Sequence, residues 1–114
     1  MPKLVRHTRG KTVPESLGGN SELHITPLAL DDLQDIDLYT MEHWGIEQSA
    51  ELEARIWKAL WSIRDFPFIG RPIGHRHSMQ RALYVEGFRV LYLLDRNLVT
   101  ILRIQHYRIE SPKR

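Results

Sequence analysis

The stretch Phe88-Arg89-Val90-Leu91-Tyr92-Leu93-Leu94-Asp95-Arg96-Asn97-Leu98-Val99-Thr100-Ile101-Leu102-Arg103-Ile104-Gln105 decides the fold. Two apolar runs rich in β-branched and aromatic residues flank Asp95-Arg96-Asn97, a connection too short for anything but antiparallel neighbours. In the first run Phe88, Val90, Tyr92 and Leu94 share one direction and Arg89, Leu91 and Leu93 the other. Apolar side chains on both sides predict a central strand covered on much of both faces. Upstream, Glu86-Gly87 joins this run to a third strand over Arg81 to Val85, which completes a three-stranded antiparallel meander.

Working outward, Phe68 to His77 carries the proline and glycine punctuation of an ordered loop. Pro67 ends a helix running from about Ile46 to Phe66, with Ala50, Ala54, Trp57, Leu60, Trp61 and Ile63 as its apolar stripe. Gly45 separates it from an earlier helix in which Ala29, Leu33, Ile36, Thr40 and His43 or Trp44 recur at helical spacing. Thr26-Pro27 opens that helix, threonine as cap and proline at the first position that needs no donor. Two helices joined by so short a turn form an antiparallel hairpin. Leu23-His24-Ile25-Thr26 alternates as a short strand. The fold class is α+β: an N-terminal strand, a two-helix hairpin, then the meander, all strands in one twisted sheet. Residues 1–21 are polar and basic without periodicity, read as a flexible arm or leader. Residues 22–110 form one domain and 111–114 a basic tail.

Composition bounds the chemistry. The 114 residues suit a single domain, and the absence of cysteine excludes thiol catalysis, cysteine-ligated zinc and a disulfide framework. No run approaches the length of a membrane span, and no signal peptide opens the chain, so the expected location is cytoplasmic. His75-x-His77 has the spacing of two metal ligands but no third at informative spacing, so no metal and no cofactor is expected. The net charge of +2 hides a division: residues 22–70 hold three basic and ten acidic residues, and residues 71–114 nine and three. A molecule with one negative and one positive side can steer an acidic or polyanionic partner. The aspartates of the first helix, Asp31, Asp32, Asp35 and Asp37, suit its positive end and read as a solvated face.

Residues 22–110 resemble the RelE/ParE superfamily of bacterial toxins from type II toxin–antitoxin modules, often called plasmid stabilisation proteins. The resemblance rests on Pro27-x-Ala29-x-x-Asp32-Leu33-x-x-Ile36-x-x-Tyr39, Trp44-Gly45-x-x-x-x-Ser49-Ala50, Phe66-Pro67-x-x-Gly70-Arg71-Pro72, Arg81-x-Leu83, Gly87-Phe88-Arg89-Val90-Leu91-Tyr92, Val99-x-Ile101-Leu102-Arg103-Ile104 and His106-x-Arg108, in that order. It implies a toxin neutralised by a cognate antitoxin that wraps it, for which Leu33, Ile36, Tyr39, Trp57 and Trp61 are the expected surface; burial in the core is their plain alternative. One branch of the superfamily poisons DNA gyrase and another cleaves mRNA on the ribosome. An inactive antitoxin-binding relative is a third reading.

The ribonuclease branch carries a dense lysine and arginine set on these strands, whereas Arg81 to Glu86 has no lysine and ends in a carboxylate. The interhelical Trp44-Gly45 and the Arg81-x-Leu83 and His106-x-Arg108 marks match the gyrase-directed branch better, which needs no bond chemistry of its own. Arg81, Arg89, Arg103, His106 and Arg108 are the expected target contacts. If the chain is a ribonuclease, Arg81, Arg89, His106 and Tyr107 are the catalytic candidates, since a histidine can move a proton and arginines can hold a phosphate. The alternatives are structural: Arg81 and Arg89 paired with helix carboxylates, His106 bound to backbone, and Tyr107 and Tyr92 as packing aromatics.

Overall fold

The computed structural model describes residues 21–107. Its elements are β1 (Glu22–Ile25), α1 (Pro27–Trp44), α2 (Ile46–Asp65), β2 (Arg71–Pro72), β3 (Gln80–Val85), β4 (Phe88–Asp95) and β5 (Leu98–His106). The strands form one five-stranded sheet in the order β1-β5-β4-β3-β2, with β4 in the middle as the sequence predicts. Two features differ from the expected meander plus strand. The sheet is mixed, because β1 runs parallel to β5 while every other pair is antiparallel. A parallel neighbour needs a long crossover, and the helical hairpin with β2, β3 and β4 supplies it. Part of the expected loop after the second helix pairs as β2 against Ala82 and Arg81.

The helices cover one face only. Phe88, Val90, Tyr92 and Leu94 of β4 are buried against them, while Arg89 and Leu91 are half-buried and Leu93 is exposed on the other side. The expectation of a strand covered on both faces is therefore corrected. Leu91 and Leu93 are apolar residues on a largely open face. The core comprises those four β4 residues with Leu23, Ile25, Ala29, Leu33, Ile56, Leu60, Ile63, Val99, Ile101 and Ile104. On α2 the buried line is Ser49, Ile56, Ala59, Leu60 and Ile63, so the predicted stripe is rotated: Ala50 and Ala54 face solvent and the tryptophans flank the contact. On α1, His43 and Trp44 are exposed beyond the last turn that meets the sheet.

A bulge sets the geometry of β5. Arg103 opposes Leu91 and Ile101 opposes Tyr92, leaving Leu102 as the extra residue. The Thr26 hydroxyl donates to the carbonyls of Ile101 at 3.0 Å and Leu102 at 3.2 Å and accepts the Ala29 N–H at 3.1 Å. One side chain thus caps α1 and ties it to the bulge. None of the helices among the described residues is long and apolar enough to cross a membrane.

Candidate functional site

Beyond the bulge β5 resumes alternation, and the turn at Glu86-Gly87 sets which residues meet across the strands. Both turn residues have positive φ, 52° and 85°, the conformation of a tight hairpin connection that glycine adopts freely. Phe88 then opposes His106 and Arg89 opposes Gln105. Since Phe88 faces the helices, His106 does too, its ring centroid 4.8 Å from that of Phe88. Arg89 lies on the other face, where its Nη2 donates to Gln105 Oε1 at 3.0 Å. Tyr84 is its neighbour on β3, and the Tyr84 ring meets that of Tyr107 at 4.7 Å.

On the helix side a groove of about 510 Å³ runs between α1 and the end of β5. Ile36, Tyr39, Thr40, Phe88 and Ile104 give it an apolar wall, and His106, Asp35 and the Asp32–Arg103 pair give it polar ends. Asp32 accepts Arg103 Nε at 2.9 Å and Nη2 at 3.0 Å, and its Oδ2 also accepts the Ile104 N–H at 2.8 Å. The bidentate pair holds Arg103 still more firmly charged than an ordinary arginine. Asp32 is thus a tether between α1 and β5 rather than part of a solvated acidic face. Tyr39 stacks on His43 at 4.0 Å at the exposed end of the groove.

Arg81 is placed elsewhere. It opposes Tyr92, points to the helix side and is buried; its Nε donates to the Gly70 carbonyl at 3.0 Å and its guanidinium lies 5.0 Å from the Phe68 ring. Tyr92, fully buried, donates its hydroxyl to the Pro67 carbonyl at 2.6 Å and accepts the Gly70 N–H at 2.9 Å. Burial pushes the Tyr92 phenol up, with the Gly70 N–H and Arg81 acting in the opposite direction. A Cβ on Gly70 would stand 2.7 Å from the Tyr92 hydroxyl oxygen, so glycine is required by close approach. The proline and glycine punctuation marks an ordered loop, and the side chains that order it are Tyr92, expected as a packing aromatic, and Arg81, expected as a target contact.

The expected cationic set is therefore divided. Arg81 clamps a loop, Arg103 is paired with Asp32, Arg89 occupies the open face with Tyr84 and Tyr107, and His106 lines the groove. Arg108 lies outside the described residues. The five expected antitoxin contacts also separate: Ile36 and Tyr39 line the groove, Leu33 is core, and half-buried Trp57 and Trp61 sit 6.0 Å apart on α2. Trp57 borders a smaller hollow of about 170 Å³ with Leu30, Asp31, Gln34, Asp37 and Glu53. There burial and the Glu53 carboxylate raise Asp37 to about 6. His75 Nδ1 accepts the His77 N–H at 3.2 Å, and no three His, Asp or Glu side chains gather as metal ligands among the described residues.

This hairpin on a mixed sheet is matched in sequence as well. Residues 23–110 match the family described as the ParE toxin of the type II toxin–antitoxin system, parDE. The chain belongs to the ParE toxin family. The expected RelE/ParE kinship thus stands, and the chain is a toxin of the type II toxin–antitoxin kind. No curated protein matches it. Among solved structures, the chromosomal ParDE toxin–antitoxin system from P. aeruginosa includes a similar chain, 20% identical with a TM-score of 0.67, covering 77% of this chain and 97% of that one. The toxin–antitoxin complex RelBE2 from Mycobacterium tuberculosis is similar at 19% identity and a TM-score of 0.56, over 74% of this chain and 94% of that one. At such identities the likeness is one of fold, and the ParE-type fold alone does not select a target.

Proposed function

We propose that this ParE-family toxin acts by poisoning DNA gyrase and is neutralised by a cognate protein antitoxin. The observation that supports a binding role over RNA cleavage is the separation of His106 from Arg89, together with the pairing of Arg103, its neighbour in the groove, to Asp32. Cleavage through a 2′-hydroxyl asks for a proton acceptor, a proton donor and cations converging on one phosphate. Here His106 and Arg89 lie on opposite faces of the sheet, and Arg81 and Arg103 are engaged by Gly70 and Asp32. A poison needs only to bind the cleaved-DNA state of its target more tightly than the resting state. Arg89 and His106 are its target contacts; Arg103 and Arg108, the latter outside the described residues, are the further candidates. Arg81 contributes by holding the loop at Gly70. A cytoplasmic location follows from that target.

For the antitoxin, the groove of Ile36, Tyr39, Phe88 and His106 suits the apolar side of a helix. Trp57 and Trp61 offer a second contact around the hairpin, and Leu33 supports it from the core. The ribosomal alternative draws on one observation, the Tyr84–Tyr107 pair beside Arg89, which has the make-up of a base-stacking platform.

The test is induction of the full chain in bacteria, with linearised plasmid and cut mRNA scored from the same culture and the adjacent antitoxin co-expressed in a parallel one. Linear DNA with intact transcripts, abolished by the antitoxin, is the expected outcome. Codon-phased mRNA cuts with intact plasmid would establish the ribosomal reading instead. Tight antitoxin binding with neither lesion would mark an inactive relative.

A further inference from the structure

The clamp formed by Arg81 and Tyr92 holds an exposed aromatic turn. Phe66, Phe68 and Ile69 occupy one tight turn, closed by the Ile69 N–H donating to the Phe66 carbonyl at 2.9 Å. Phe66 and Phe68 are each 67% exposed and Ile69 is exposed beside them. Here a buried guanidinium, a buried phenol and a glycine that tolerates no Cβ fix the backbone of Pro67, Phe68 and Gly70. A recognition turn fixed in advance loses little further freedom on binding, which raises affinity.

Along the chain from this turn the charge is of one sign. From Phe66 to Val85 the chain has no Asp, Glu or Lys, but three arginines and two histidines. The nearest carboxylate upstream, Asp65, is paired with Arg64 at 3.1 Å. Arg71 and Arg76 are exposed. Exposed phenylalanines beside arginines match the aromatic and arginine enrichment of protein interfaces.

We infer that the Phe66–Ile69 turn, flanked by Arg71 and Arg76, is a preformed docking element that inserts its aromatic rings into an apolar recess on an acidic protein surface of the toxin's target. The inference rests on the reading of gyrase as that target and adds a contact on the β2 side of the sheet, two strands across from β4.

Immobilised gyrase without DNA is the probe, titrated with the full chain. The double variant Phe66→Ala with Phe68→Ala binds at least about tenfold more weakly. Arg71→Glu with Arg76→Glu also weakens binding, chiefly through slower association, and the deficit shrinks as salt rises. Leu28→Ala with Leu38→Ala, which trims comparably exposed residues on α1, leaves affinity unchanged. Thermal melts check folding; if the phenylalanine variant is unfolded, the arginine pair, which leaves the turn intact, decides. Wild-type affinity in the folded loop variants would overturn the docking inference and leave the gyrase reading standing. Absence of gyrase binding by the unaltered chain would overturn both. Loss confined to binding of naked DNA would reassign the turn to nucleic acid and likewise overturn it.

Discussion

The Tyr92 hydroxyl serves both Pro67 and Gly70 from within the core. Tyr92→Phe leaves a buried N–H and a carbonyl unpaired and should cost about 1–3 kcal/mol, measurable from the midpoint of urea unfolding. Gly70→Ala should cost a similar ~1–3 kcal/mol by crowding the same hydroxyl. Arg81 shows what was legible in the sequence. Counting back from the Glu86-Gly87 turn pairs Arg81 with Tyr92, whose alternation points inward, so its direction was available there. That a loop carbonyl would meet its guanidinium was not, because the contact spans eleven residues through a loop with no periodicity. Asp37 makes a pH-dependent prediction. Its folded value of about 6 lies above the ordinary 3.8, so the fold favours the protonated acid; that contribution is complete below the ordinary value and is lost as pH rises through about 6. Asp37→Asn should therefore raise the melting temperature at pH 8 and change it little at pH 4.

Among the elements, α1 is the best written in the sequence and α2 the least. Thr26-Pro27 fixes the start of α1 by local chemistry, and the cap is formed as expected. The same hydroxyl also reaches the bulge of β5, so Thr26→Ala should cost about 1–2 kcal/mol, near the upper end for a cap, in thermal or denaturant unfolding. On α2 the tryptophans dominate the apolar signal, yet the buried line runs through Ser49, Ile56 and Ile63. Ser49 belongs there because the helices cross closely and its hydroxyl donates to the Asp37 carbonyl at 3.2 Å. A polar residue buried for a backbone partner on another helix leaves no apolar mark. The bulge in β5 was hidden for a related reason. Ile101 and Ile104 both face the core although an unbroken strand would send them to opposite sides, and only the partner strand reveals the extra residue.

Across the whole molecule, the order of elements was legible because each turn carries local chemistry, whereas the candidate site was legible in its residue types and not in their grouping. Arg89, Arg103 and His106 come from adjoining strands as expected, but each has a different partner, and Arg89 lies on the face opposite the groove that Arg103 and His106 line. That division underlies the central claim that this ParE-family toxin binds and traps a target rather than breaking a bond itself. The most direct measurement incubates the purified full chain with gyrase, ATP and supercoiled plasmid, then denatures the protein and counts linear DNA covalently attached to gyrase. The account predicts linear DNA that rises with toxin concentration and falls several-fold in Arg89→Ala and His106→Ala. Plasmid left uncut at saturating toxin, beside codon-phased cleavage of mRNA on translating ribosomes by the same preparation, would contradict it.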